Sequence, residues 1–288
     1  MSESIAIIGA GPKALSIAIK NQILSRLGFA VPQLHIFEQH AVGAHWVGQF
    51  GYTDGQFKLG TSPEKDLCFP YDTRCYGELA DAVLTQAEQF SWAHYLRLNG
   101  RYAAWIDRGK PAPSHRQWAA YFAWSAAQLS TQVSFHFERV DHVAIANHGW
   151  RIQTADAEYR ADALVLTGPG KPMRAFHPPD SPRILDAKNF WQSVAHMTIS
   201  DKSRIAVVGA GENAASMLMT LNQQFGDRIA IDVFTRQATL LSRGESYFEN
   251  RLFTQAEDWA ELPEESRKKF SNCSPNFSTR GQIWATHL

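Results

Sequence analysis

The 288-residue chain has no charge of one sign to spare: 28 basic residues face 28 acidic ones, for a formal net charge of zero. Without a basic excess there is no electrostatic footprint for nucleic acid or an anionic membrane, so neither is expected as a partner. Cysteine is scarce. The three residues Cys68, Cys75 and Cys273 show neither metal nor redox spacing, and are read as filler or core thiols. An odd count with no basic and apolar leader at the N-terminus fits a reducing cytoplasm. No apolar run reaches the length of a membrane span. No Ser/His/Asp triad stands out, and no metal cluster. What remains is a chain long enough for one large or two medium domains with a substantial core.

The chain is organised around Ser4 to Ala18, SIAIIGAGPKALSIA. Ile5 to Ile8 form a short apolar run suited to a buried parallel strand. Gly9-Ala10-Gly11 follows directly, and Pro12 to Lys20 reads as a helix. In Gly9-x-Gly11-x-x-Ala14, Gly9 permits the sharp turn, Gly11 lets a pyrophosphate approach the backbone at the helix N-terminus, and Ala14 allows close helix–strand packing. Pro12 and Lys13 open that helix beside the phosphates. A second apolar strand, Leu34 to Phe37, ends in Glu38, placed for a ribose hydroxyl. Strand, turn, helix and terminal acid together predict dinucleotide binding.

Residues 41 to 75 then break the alternation. They are rich in Gly, Pro and aromatics, among them Trp46, and so long an irregular stretch inside a domain reads as functional. Thr61-Ser62-Pro63-Glu64 has the form of a capping box, predicting a helix start with Lys65 and Asp66 in its first turn. Residues 77 to 130 read as mainly helical, with tryptophans 92, 105, 118 and 124 in the core. Val133–Phe137, His142–Ile145 and Trp150–Thr154 read as an antiparallel meander. Asp162 to Leu166 is an apolar strand ending in Thr167-Gly168-Pro169-Gly170, the form of a strand leaving a flavin domain beside the cofactor, at Gly168.

Arg204 to Val208 begins a second unit. Gly209-x-Gly211-x-x-Ala214 repeats the first motif, with Glu212 and Asn213 at the helix start. Ile229 to Phe234 ends in Thr235-Arg236, where an arginine suits a 2′-phosphate and favours NADPH over NADH. Two fingerprints in one chain imply two nucleotides facing each other: a flavin, FAD, held first, and a nicotinamide that reduces it.

Nearly the whole chain, Ile5 to about Ser278, resembles the flavin-dependent lysine and ornithine N-monooxygenases of siderophore biosynthesis, of the mycobactin type. The specific pieces are residues 51–71, 91–96, 105–124, 167–170, 209–218 and 242–253. The resemblance implies two Rossmann-like dinucleotide-binding domains of α/β class: residues 1–175 for FAD with a helical insertion, a linker 176–202, and residues 203–288 for NADPH. It implies hydroxylation at N6 of L-lysine, or of an acylated lysine, with O2. It also implies substrate contacts from Lys65 of Lys-Asp-Leu, Asn250 of Phe-x-Asn and Asn276 of Asn-Phe-Ser. Ornithine-specific members carry Gln where this chain has Gly60. Family chains run further at the C-terminus, so the chain is expected to be truncated, with an incomplete second domain and an exposed sheet edge. It is then expected to associate with itself or with a complementary C-terminal chain. The alternatives are a non-catalytic nucleotide-binding remnant, an ornithine N5-monooxygenase, and a general flavin reductase or amine oxidase; the Lys65 and Asn250 motifs argue against the last.

Overall fold

The computed structural model describes residues 3–50, 53–130, 132–146, 149–168, 181–186, 189–236 and 247–273. The chain falls into two compact units, Met1–Pro178 and Pro179–Leu288.

In the first unit, β1 (Ser4–Ile8), α1 (Pro12–Arg26) and β2 (Gln33–Phe37) follow in order. The helical stretch is α2 (Ala80–Glu88), α3 (Trp92–Leu98), α4 (Tyr102–Asp107) and α5 (His115–Ala127). Five strands complete the unit: β3 (Val133–His136), β4 (Val140–Ala146), β5 (Gly149–Thr154), β6 (Glu158–Ala161) and β7 (Ala163–Leu166). A parallel sheet has the order β3-β2-β1-β7, and a separate antiparallel sheet the order β4-β5-β6. Two expectations are corrected here. Val133 to His136 leaves the meander and becomes the edge of the parallel sheet, Leu34 pairing with Val133 and Phe37 with His136. Its place in the meander is taken by Glu158–Ala161, which pairs with β5. Val133 supplies the reason: it is buried with Ile7, Leu34 and Ile36 beneath α1.

The sheet is covered on both faces, as a parallel sheet requires. On one face Ala10, Ala14 and Ala18 let α1 lie close against Ile7, Leu34 and Ile36. The outer face of α1, with Leu15, Ile19 and Ile23, is buried by the helical insertion through Trp92, Trp105, Trp118, Tyr121 and Phe122. Full burial of one such side chain contributes about 1.5–3 kcal/mol. On the other face Ala6 and Phe37 meet Ile152 and Ala161 of the meander. The four tryptophans expected in the core are there: 92, 105 and 118 are buried, and Trp124 packs against the same cluster.

In the second unit α6 (Phe190–Val194), β8 (Ser203–Val208), α7 (Glu212–Phe225) and β9 (Ile229–Phe234) precede α8 (Tyr247–Thr254), α9 (Ala256–Glu261) and α10 (Glu264–Cys273). β8 and β9 form a two-stranded parallel sheet in register from Ser203↔Ile229 to Val208↔Phe234. The Val194 carbonyl accepts from Gln224 and that of Ile199 from Arg228, so residues 194–199 are tied to this unit. Among the described residues, no helix is long and apolar enough to cross a membrane.

Candidate functional site

The turn between β1 and α1 is closed from three sides. The Gly9 N–H donates to the Phe37 carbonyl at 2.7 Å, tying it to the end of β2. Gly9 has φ +100°, and a Cβ there would lie 2.5 Å from Thr167 Oγ1. The Thr167 hydroxyl meanwhile donates to the Ile8 carbonyl at 2.8 Å. Only glycine combines that backbone with that approach. Gly168 follows directly, with open space where a Cβ would stand.

Gly11 caps α1 in extended conformation, with no side chain bonding the cap and no acidic residue in the first turn. A Cβ on Gly11 would meet nothing within 4 Å. No side chain therefore blocks the approach to Gly11 at the start of α1, and an anion at such a helix end gains about 0.3–2 kcal/mol. Pro12 and Lys13 are exposed beside it and Ala14 is buried. The Glu38 carboxylate spans the turn: one oxygen accepts from the Ala10 N–H and the other from the His40 N–H, each at 3.1 Å. Each oxygen keeps a lone pair for a ribose hydroxyl. These groups fit a dinucleotide.

The second unit repeats the turn. Gly209 has φ +130°, and its N–H donates to the Phe234 carbonyl at 2.9 Å. Gly211 caps α7 at φ −87°, ψ −178°, against φ −89°, ψ −173° for Gly11. Asn213 is exposed on the first turn of α7, and Arg236 is exposed two residues past β9. The Glu212 side chain lies outside the described residues.

Lys65 is carried by a loop and not by a helix, which corrects the capping-box expectation. Ser62, Asp66 and Cys68 carbonyls accept from Lys65, Phe69 and Tyr71, making separate turns. The competing force is Asp66. Its carboxylate accepts from the Trp92 N–H at 2.9 Å, where α3 begins, from the Tyr71 hydroxyl at 2.8 Å and from the Cys68 N–H at 3.2 Å. Next to it the Leu67 carbonyl accepts from the Ser16 hydroxyl of α1 at 2.7 Å. Lys65 is thus presented, half buried, from a loop pinned on its C-terminal side, with its ammonium 5.9 Å from the Phe69 ring centroid. Burial raises the Asp66 carboxyl above its usual range, against the pull of its hydrogen bonds. Burial likewise pushes the Cys68 thiol up to about 12, so it stays protonated.

Trp46 sits in a single 3-10 turn, Ala44–Trp46. That turn hangs from the first glycine turn, because the Gly43 N–H donates to the Ala10 carbonyl at 3.0 Å. The Trp46 indole meets the His115 ring edge to face, at 4.7 Å between centroids. Asn250 lies half buried on α8, a helix held to α9 by Arg251, which bonds Asp258 at 2.8 Å and the Tyr247 hydroxyl at 3.0 Å. Asn276 lies outside the described residues. Asp66, Thr53 and His115 were not singled out from sequence. Asp66 stood inside the quoted Lys-Asp-Leu motif, and the Thr53–His115 contact joins residues too far apart in the chain for a local signal. Among the described residues, no group of three or more His, Cys, Asp or Glu side chains could hold a metal ion.

The family model for L-lysine 6-monooxygenase/L-ornithine 5-monooxygenase matches residues 79–282. The chain belongs to that family. L-lysine N6-monooxygenase MbtG of Mycobacterium tuberculosis is 40% identical over 269 residues, covering 93% of this chain and 61% of that protein. The structure of lysine monooxygenase NbtG from Nocardia farcinica covers 99% of this chain and 68% of its own, with 33% identity and a TM-score of 0.83. An L-ornithine N(5)-monooxygenase of Ceriporiopsis subvermispora is more distant, 28% identical over 184 residues. The family member described here therefore spans about three fifths of its curated lysine relatives.

Proposed function

We propose that this chain carries the two nucleotide sites and part of the substrate site of an NADPH- and FAD-dependent enzyme that hydroxylates N6 of L-lysine, free or acylated, with O2, for hydroxamate siderophore synthesis. The observation that carries the reading is the duplicated turn: two glycine-capped helix starts with nearly the same backbone angles, each following a parallel strand. The two turns differ in what ends the second strand, Glu38 in one and Thr235-Arg236 in the other. Under this reading residues 1–175 form the FAD-binding domain, 176–202 a linker and 203–288 the NADPH-binding domain.

In the first site Gly9, Gly11, Pro12, Lys13 and Ala14 shape the pyrophosphate cradle, Glu38 takes the ribose, and Trp46 and Gly168 border the flavin. In the second, Gly209, Gly211, Glu212 and Asn213 shape the cradle and Arg236 takes the 2′-phosphate. Once bound, the flavin activates O2 with electrons supplied by NADPH. The chain's own residues do the rest. Lys65 pairs with the substrate α-carboxylate, and Asn250 and Asn276 hydrogen-bond the amino acid. The side-chain amine has to react neutral although its ordinary pKa is about 10.4, and a site that excludes water favours that form. Asp66 holds the loop so that Lys65 stays in place.

The deciding experiment titrates FAD and then NADPH into the purified chain and follows flavin absorbance, with Gly11→Val and Gly211→Val as controls. Each variant is expected to abolish one nucleotide and spare the other. Loss of FAD from both variants, or from neither, overturns the two-site assignment.

A further inference from the structure

The loop 53–58 is threaded along the start of α5. His115 and Arg116 donate their N–H groups to the Phe57 and Gly55 carbonyls at 2.8 and 2.9 Å. Ser114 and Gln117 cap the helix reciprocally. His115, the first residue of α5, is thereby held with its imidazole buried. Thr53 Oγ1 lies 2.8 Å from its Nδ1, and the same Oγ1 accepts the Gly55 N–H at 3.0 Å. Oγ1 has a second lone pair as well as its own proton, so the contact can run in either direction; with the hydroxyl donating, Nδ1 accepts and the imidazole proton sits on Nε2. In that tautomer a relay runs from the Gly55 N–H to the Thr53 hydroxyl to His115 and ends on Nε2–H.

Nε2 is buried and has no hydrogen-bond partner among the described residues. A buried polar atom left unpaired is destabilising, so it calls for a physical account. The Trp46 indole packs against this imidazole, with ring centroids 4.7 Å apart and planes at 85°, an arrangement that suits a ring N–H directed at a π face. Trp46 is only half buried, and its turn is bonded to Ala10 in the first glycine turn. We propose that His115 is a positioning residue for the first nucleotide site: its Nε2–H, set by the Thr53 hydroxyl, fixes the indole orientation in which Trp46 meets the bound flavin dinucleotide. The proposal rests on the reading of that site as an FAD site.

The test titrates FAD into the full chain and follows both affinity and the quenching of flavin fluorescence by the neighbouring indole. Trp46→Phe should restore flavin emission. His115→Asn keeps the group facing Thr53 but lacks the Nε2–H; it should weaken FAD about fivefold, the equivalent of about 1 kcal/mol, and recover emission. His115→Gln, which can place an amide N–H near the Nε2 position, should stay within about twofold of the parent. Thr53→Val should follow His115→Asn, and Thr53→Ser should be restored. Near-UV circular dichroism checks folding for each variant. Parent-like binding and quenching in His115→Asn overturns the proposal, and so does equal loss in His115→Asn and His115→Gln, which marks a purely structural role. If the parent chain binds no FAD, the FAD reading falls and takes this proposal with it. If the parent binds FAD and only the His115 and Thr53 variants are silent, this proposal alone falls.

Discussion

At the scale of single residues, Lys65 and Asp66 are chain neighbours with opposite duties. Asp66 faces inward and accepts from the Trp92 amide, the Cys68 amide and the Tyr71 hydroxyl. Asp66→Ala leaves those donors unpaired in a buried place, and is expected to lower stability by about 2–3 kcal/mol in urea unfolding. Lys65→Ala should leave the urea midpoint near its parent value. It should instead raise KM for lysine by about ten- to a hundredfold, the value of a charge-assisted contact, with flavin content unchanged. Flavin loss in Lys65→Ala would move Lys65 from the substrate to the cofactor. His115 adds a pH term. Burial first, and then the nearby His45, bring its pKa down to about 4 from 6.5. The folded pKa lies below the unfolded one, so its share of stability is whole above about pH 6.5 and is lost as pH falls toward 4. The slope is up to about 1.4 kcal/mol per pH unit. Urea midpoints at pH 7.5 and 5 should therefore differ more for the parent than for His115→Gln.

At the scale of elements, the glycine turns make a sharp prediction. Gly9→Ala puts a methyl group 2.5 Å from Thr167 Oγ1 at φ +100°. It should lower the thermal midpoint of the first unit and abolish FAD binding. At Gly209 the nearest atom to a new Cβ is the Ala214 methyl at 3.7 Å, so the penalty there is backbone strain alone and the loss should be smaller. Arg236→Ala should weaken NADPH well over tenfold more than NADH; equal loss would remove Arg236 from the 2′-phosphate. Both turns were legible in the sequence because a strand–turn–helix signal is local: apolar run, paired glycines and helix start lie within a few residues of each other. Val133–His136 was legible as a strand but not by its partner. Parallel pairing to β2 joins residues about a hundred positions apart, and apolar residues alone do not say which sheet they cover. The Thr61–Glu64 pattern failed for a related reason. Its local hydrogen bonds were outweighed by what Asp66 and Leu67 gain from α3 and α1.

At the scale of the whole molecule, both parallel sheets end on strands with one side unpaired among the described residues, β7 in the first unit and β8 and β9 in the second. The edges are apolar: Leu166 is 66% exposed, Val208 53% and Phe234 59%. Open apolar edges of this kind pair with other chains. The chain should therefore self-associate as its concentration rises, and Leu166→Lys with Val208→Lys should shift it toward the monomer in sedimentation velocity. Unchanged association in the double variant would place the contact elsewhere. β1 has a different history. It is flanked by β2, whose last residue is Phe37, and by β7, whose first residue is Ala163. A ribosome adding about 5–20 residues per second takes roughly 6–25 s to travel from one neighbour to the other. For that interval the strand that begins the nucleotide turn has one bare side, and Gly9 has no Thr167 against it. The first glycine turn is thus made long before the strand that closes it, and a nascent chain can be caught there.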